Sequence, residues 1–339
     1  MSDTMKAVDI KGGKGPISSL HITTIPRPVP TGSQALVRIR YFGLNRMDIL
    51  QREGQYPVPP QAPSTLGVEF SGEIVGFGGS PEGSFKLGDA VFGLAYGGAY
   101  AEYIAVSTHM LVHKPAQLSW EQCAGIPETW ITALQALYLV GEYKPGRSVL
   151  WHAGASSVSI AGQQLTRADG AKAVYATARS EDKVRFCEEE LGTTKAFNAG
   201  KGQEPWDEQV LKETNGEGVD LIIDFVGPDY FWQNLNAAAR DGHIVSLGFL
   251  GSSKLEGGEG LGAFVRKRIR FEGSALRSRD EEYQGKLRDQ LVDHALPKFI
   301  DGSFKVLVEK VFPWEEIQEA HALMESNKTK GKLICKIDW

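Results

Sequence analysis

Between residues 148 and 276, short apolar runs alternate with helical stretches, and that order leaves a chain few ways to fold. The runs are SVLWHA (148–153), AKAVYATA (171–178), VDLIIDFV (219–226), HIVSLGF (243–249) and IRFEGSAL (269–276), with helical patterns at 157–167 and 181–191. Runs this short and this apolar read as strands buried on both faces, which is the mark of a parallel sheet. Strands joined through helices must cross over in one hand, so the segment predicts an α/β, doubly wound parallel sheet.

The first third follows a different rule. ALVRIRYF (35–42) alternates apolar and polar residues, and short strand candidates recur at 72–75, 90–92 and 100–106. PRPVPTGS (26–33) and YPVPPQAPS (56–64) separate them, and proline-rich segments continue neither a helix nor a central strand. A loop-rich antiparallel barrel or half-barrel is expected. Near Ser119 the pattern changes: Ser119 offers an N-cap with Gln122 three residues on, ahead of an apolar helical run ending at Gly141. After the sheet come a charged helix from Asp280, a helix over 314–326 and a strand over 332–337.

Charge and cysteine content remove several functional classes. Lys plus Arg number 37 against 42 Asp plus Glu, a net −5, so the chain has no basic field for a polyanion. One basic run, 266–270 (RKRIR), stands beside a strand, where such a run is ordinarily a solvated face. Cys123, Cys187 and Cys335 lie far apart and form neither a metal-ligand spacing nor a disulfide framework, which suits a reducing compartment. The N-terminal stretch has no signal-peptide run, and the most apolar segment, 130–140, is too short to span a bilayer. A cytoplasmic protein is expected.

The strand–turn–helix at 148–167 raises the question of a dinucleotide. A phosphate-binding turn carries G-x-G-x-x-G, and here Ser157 and Ser159 stand at the first two positions, with Gly162 at the third and Gly154 upstream. Hydroxyls and free N–H groups at a helix start can hold phosphate, yet the same pattern also serves a plain buried turn. The end of the second strand favours NADPH. Arg179, Ser180 and Lys183 occupy the region where an NAD enzyme carries an acidic residue for the ribose, and together they suit a 2′-phosphate.

Seven segments in order along the chain carry a resemblance: LNRMDILQREGQYPVPP (44–60), LGVEFSGEIV (66–75), GIPETWITALQALYLVG (125–141), HAGASSVSIAGQQLTR (152–167), GEGVDLIIDFVG (216–227), ALRSRD (275–280) and EIQEAHALMESNKTKGKL (316–333). The sequence resembles the zinc-free quinone oxidoreductase (zeta-crystallin-like) branch of the medium-chain dehydrogenases/reductases. The resemblance implies a GroES-like catalytic domain (1–124), a Rossmann NADPH-binding domain (125–274), and a segment (275–339) returning to the catalytic domain. It also implies NADPH in the cleft between the domains and a homodimer, which we expect to form along the edge strand over 269–276. No metal is expected: where zinc-dependent relatives carry G-H-E this chain has Gly67-Val68-Glu69, and no cysteine precedes Cys123.

By the same resemblance Asn45 and Tyr56 sit beside the nicotinamide, one donating an amide hydrogen bond and the other a phenolic proton. Ser156, Ser157, Val158 and Ser159 would cradle the pyrophosphate, and Arg179, Ser180 and Lys183 the adenosine phosphate. Phe249 and Leu250 would flank the nicotinamide, with Leu276 and Arg277 near its far end. Asn198 lies at the adenine side, where relatives place a tyrosine after the asparagine and this chain has Ala199. Asp48 is expected to support its loop, and Trp130 to line the cleft or fill the core. The expected activity is NADPH-dependent reduction of quinones or enones. The alternatives are an enoyl reductase acting on a thioester or secondary metabolite, and a low-turnover cofactor-sensing or RNA-binding relative.

Overall fold

The computed structural model describes residues 3–79, 83–249, 254–257 and 260–339. Leu250 lies outside the described residues. The chain divides into two compact units, Met1–Ile131 with Arg277–Trp339, and Thr132–Leu276.

The first unit contains β1 (Thr4–Ile10), β2 (Leu20–Pro26), β3 (Gln34–Gly43), β4 (Glu69–Phe77), β5 (Ala90–Leu94), β6 (Tyr103–Ser107) and β7 (Leu111–His113). β1 and β2 pair antiparallel. The second unit holds β8 (Ser148–Trp151), β9 (Ala173–Ala178), β10 (Lys195–Asn198), β11 (Val219–Asp224), β12 (Ala238–Ser246) and β13 (Arg270–Gly273). The chain then returns to the first unit with β14 (Val308–Pro313) and β15 (Lys332–Lys336). β15 pairs antiparallel with β3, Cys335 opposite Phe42, in a sheet ordered β14-β15-β3-β4-β5-β7, with β6 also on β3. The end of the sequence is thus stitched into the sheet that β3 starts, and the fully buried Phe42, Phe70, Phe92 and Ile334 fill it.

In the second unit the order β10-β9-β8-β11-β12-β13 is parallel throughout. The order reverses direction between β8 and β11, and the carboxyl ends of strands at such a switch point are where doubly wound sheets bind ligands. Leu150, Tyr175, Phe197, Trp206, Ile222 and Ile244 form the core on one face. On the other face the helix Ser157–Ala168 lies so close to β8 that a Cβ at Gly162 would stand 2.2 Å from the Trp151 ring. Gly162 is therefore fixed by helix–strand packing, the role of the third glycine in a dinucleotide fold.

Local chemistry accounts for the boundaries. Ser119 Oγ accepts from Gln122 N while Gln122 Oε1 accepts from Ser119 N, the reciprocal cap expected from the sequence. The apolar run does not continue as one helix: Trp120–Ala124 stops and Pro127–Leu134 begins anew with its proline at the first turn. β10 and β13 are among the strands that differ from the sequence reading. β10 shows no apolar run, since of KAFN only Ala196 and Phe197 are buried. β13 ends at Gly273 and not Leu276, because the Ser274 amide still follows β12 but Ala275 turns its carbonyl to Gln135 Nε2.

Candidate active site

At the carboxyl end of β8 the chain makes its turn with Ala153 in left-handed backbone (φ 46°), and Ser156 caps the helix that follows. The amides of Ser157 and Val158 open that helix without a protein acceptor among the described residues. Ser156, Ser157 and Val158 are partly exposed and Ser159 is fully buried. Ser159 Oγ donates to His152 O (2.6 Å), so its hydroxyl fastens the turn from inside and does not face a phosphate. What remains for an anion is backbone N–H at the positive end of a helix twelve residues long.

The end of β9 places Arg179 in solvent, with no hydrogen bond or ion pair on its guanidinium among the described residues. Ser180 begins the next helix, Glu181–Arg185, which carries Lys183 on its first turn. Asn198, opposite Ala178 in the β9–β10 register, has its amide committed to a local turn: Oδ1 accepts from Gly200 N (2.9 Å) and Nδ2 reaches Glu181. Phe249 is 48% exposed and covers Gly227, where a Cβ would stand 2.4 Å from the ring. Leu276 is buried and closes the second unit.

Beneath the strand ends runs a buried polar chain that the sequence reading missed. Asp224 accepts from Asn234 Nδ2 (3.0 Å), Asn234 Oδ1 faces His152 Nε2 (2.7 Å), and His152 Nδ1 faces Thr177 Oγ1 (2.9 Å). The carboxylate fixes which way the Asn234 amide points, so Nε2 of His152 carries the hydrogen and Nδ1 accepts from Thr177. Burial lowers the His152 pKa, against the charge of Asp224, and keeps the ring neutral. The signal in the sequence was one polar side chain at or just past the end of each of three apolar strands.

The first unit concentrates its ionisable groups around β4 and β15. Lys332, at the start of β15, donates to Glu69 at the start of β4, and to Asn45 Oδ1 (2.7 Å). Asn45 Nδ2 donates to the same carboxylate oxygen (2.9 Å), and the Glu128 amide donates to the other (3.0 Å). Glu69 and Lys332 are 0% and 3% exposed. Asn45 therefore keeps one N–H beyond its internal partners. Asp48 accepts from the amides of Asn45 (2.8 Å) and Gly67 (3.3 Å) and from the Tyr100 hydroxyl (3.1 Å), which is loop support. Burial pushes the Asp48 carboxyl up to about 6, against the Asn45 N–H that lowers it. Behind Tyr100 stands His321, with Arg52 on its Nδ1; burial and then the Arg52 charge push its pKa down to about 3.

Tyr56 is half-buried and stacks under Arg277, whose guanidinium carbon is 5.4 Å from the ring centre. Arg277 Nε donates to Tyr96 O (2.6 Å) and Nη1 to Gln51 Oε1 (2.7 Å), so the residue expected near a cofactor is anchored inside the first unit. Burial and the Glu128 charge raise the Tyr56 pKa, and Arg277 pulls against them. The Glu128 carboxyl, pushed up to about 7 by burial and the charge of Glu69, completes the cluster. Trp130 packs against Phe299 and Phe304 at 2% exposure and is core. The basic run is internally engaged: Lys267 binds three backbone carbonyls, Arg268 pairs with Asp241, and Arg270 with Glu142 and Glu272.

Comparison with known proteins matches two family descriptions, "Alcohol dehydrogenase GroES-like domain" over residues 31–116 and "Zinc-binding dehydrogenase" over residues 157–292. A quinone oxidoreductase of Pongo abelii is 27% identical over 97% of each chain. Among solved structures, an NAD-dependent alcohol dehydrogenase has TM-score 0.84 at 28% identity, covering 98% of this chain and 100% of that one. The CurK enoyl reductase has TM-score 0.84 at 26% identity, covering 99% and 100%. The second family description names zinc, but the donors around Glu69 do not suit it. A catalytic zinc takes thiolate, imidazole or carboxylate ligands, and here the Glu69 carboxylate is held by an ammonium, an amide side chain and a backbone N–H. A GroES-like first unit, a six-stranded parallel sheet in dinucleotide-fold order and these relatives agree: the chain belongs to the medium-chain dehydrogenases/reductases, in their quinone oxidoreductase-like family, whose members use a nicotinamide cofactor.

Proposed function

We propose that the protein is an NADPH-dependent reductase of quinones and related conjugated carbonyls, working without a metal ion. The observation that carries this reading is Tyr56, a half-exposed phenol kept protonated by its surroundings and backed by a guanidinium. Reduction of a conjugated carbonyl needs a hydride and a proton, and needs stabilisation of the negative charge that appears between them. Bound NADPH supplies the hydride from its dihydronicotinamide ring. The amides of Ser157 and Val158 would hold the pyrophosphate, and Arg179, Ser180 and Lys183 the adenosine phosphate, with Phe249 on the nicotinamide side. Lys332 orients the Asn45 amide, whose remaining N–H is offered outward. Tyr56 gives its proton to the reduced acceptor, and Arg277 stabilises the phenolate left behind.

Calorimetry with each nucleotide, followed by an assay with ortho- and para-quinones, tests the reading. NADPH should bind more tightly than NADH, and Arg179→Ala should weaken NADPH by roughly 30-fold, the worth of one charge-assisted contact, while leaving NADH unchanged. Equal binding of the two nucleotides, or no quinone turnover, would remove it. The likeness to CurK supports a second acceptor class, enoyl thioesters, which need the same proton donor; an acceptor panel decides between them.

We also propose a homodimer paired along β13, all four of whose residues are exposed and whose outer edge has no strand partner among the described residues. Light scattering should give twice the chain mass, and Phe271→Pro, which removes an edge N–H, should give the monomer. A monomeric native protein would refute this. The three free, buried thiols suit the reducing cytoplasm.

A further inference from the structure

We propose that His321 is a positioning residue for the site in the first unit: through Tyr100 it holds the Asp48 carboxylate in place, and Asp48 sets Asn45 against Glu69. This rests on the reductase reading above, in which the Asn45 amide is offered outward, and it gives that reading a residue from the returning segment of the chain. The contacts form one chain whose direction is fixed at its outer end. Arg52 Nη1 lies 3.2 Å from His321 Nδ1, and a guanidinium can only donate, so Nδ1 is the acceptor. The ring is buried and neutral, which leaves its hydrogen on Nε2. Nε2 stands 3.4 Å from the Tyr100 hydroxyl, the longest link, and donates to it. The Tyr100 hydrogen is then committed to Asp48 Oδ2 at 3.1 Å. Every donor points inward, and the chain ends on a carboxylate, the kind of acceptor that a donor stabilises most. Glu325 and Glu53 pair with Arg52, so its charge is balanced outside the chain.

Asp48 converts that direction into position. The oxygen that takes the Tyr100 hydrogen also accepts from the Asn45 amide (2.8 Å), and the other oxygen accepts from Gly67 N (3.3 Å). Asn45 Nδ2 meets Glu69, two residues past Gly67, at 2.9 Å, so one carboxylate ties together the two segments that must meet there. Tyr100 acts on the second segment as well. Gly67 has φ 91°, and a Cβ there would stand 2.3 Å from the Tyr100 ring, so the same tyrosine sets how closely that segment lies. The charged and titratable groups facing Asp48 come from every neighbouring element: Arg277, Lys332 on β15, Glu128 and Tyr56, besides Tyr100 itself. Glu69 on β4 and Cys335 on β15 face Tyr100, and Arg52 on the helix Arg46–Arg52 faces His321. Protonation of Asp48 would remove the charge on which these donors converge.

The test compares native protein with Tyr100→Phe, His321→Leu and His321→Gln in quinone reduction at saturating NADPH across pH. The carboxylate form of Asp48 does the holding, so native kcat should fall as pH drops through about 6. Loss of the donor chain raises that carboxyl further, so the acid limb should move up by about one pH unit in Tyr100→Phe and His321→Leu. Glutamine can accept from Arg52 and donate to Tyr100, so His321→Gln should return the limb to its native place. A residue that only filled the core would cost stability in these variants without moving the limb. Two readouts need no turnover. Nitrogen-15 NMR of the native protein should find the His321 hydrogen on Nε2. The Asp48 carboxyl, followed by carbon-13 NMR and assigned with Asp48→Asn, should titrate higher in Tyr100→Phe. A hydrogen on Nδ1, or an Asp48 titration that stays in place in Tyr100→Phe, overturns the proposal, whether or not the leucine variant folds. Failure of the reductase reading shows differently: the titration moves as expected while the native protein reduces no acceptor at any pH, and the site that His321 serves then falls with that reading.

Discussion

Lys332→Met should destabilise the first unit by roughly 3–5 kcal/mol, the range for removing one partner of a buried ion pair. Among the described residues the ammonium is the single cation paired with Glu69, which is 0% exposed, and it also fixes the Asn45 amide. With it gone, Glu69 keeps only Asn45 Nδ2 and the Glu128 N–H against a full charge out of water. The loss should appear in β3, β4 and β15, whose ladder carries the pair, and should spare β8 to β13. Hydrogen exchange resolved by strand, alongside denaturant unfolding, reads this directly. The companion Lys332→Met/Glu69→Gln should recover most of the loss, since replacing both charges removes the stranded one. A single variant as stable as the native protein would mean that Glu69 finds water or another cation, and that the cluster is looser than its distances say.

That pair also marks the limit of what the sequence made legible. The alternation of apolar runs and helices implied a parallel doubly wound sheet because burial on both faces imposes a composition on each strand. The Ser119 cap was legible because its partner lies three residues away. β10 was not, since two buried side chains in four make no period. The Glu69–Lys332 contact joins residues from opposite ends of the chain, and no local pattern announces it; the one hint was a lysine opening an apolar strand. Ser159 looked like a phosphate ligand on the resemblance, and its hydroxyl instead closes on His152 O. Arg277 was expected at a cofactor and is anchored to Tyr96 and Gln51. In both cases residue type and place in the motif were readable, and the direction of the side chain was decided by its packing partner, seven residues away for Ser159 and more than 180 away for Arg277.

Tyr56→Phe should lower kcat for quinone reduction by about 100-fold, the lower end of what a positioned general acid contributes, with unfolding changed by no more than roughly 0.5 kcal/mol. The small stability effect follows from the packing: the ring stacks on Arg277 in either form, and the hydroxyl is not sealed in the core. The activity effect follows from what is lost. Phenylalanine offers no proton, and the Arg277 charge then faces no phenolate oxygen to stabilise. Nucleotide affinity should be unchanged, because the residues proposed to hold NADPH belong to the other unit. The sign with pH is set by the raised phenol: burial and Glu128 keep it protonated through neutrality, so any limb due to Tyr56 itself lies in alkali, as activity lost with rising pH. Arg277→Lys separates charge from shape. It keeps the cation but loses the planar fork that reaches Tyr96 O and Gln51 together, so activity should drop less than in Tyr56→Phe while the Tyr56 titration moves upward. If Tyr56→Phe retains native kcat at every pH, the proton reaches the acceptor by another route, and the cluster around β4 and β15 is structural alone.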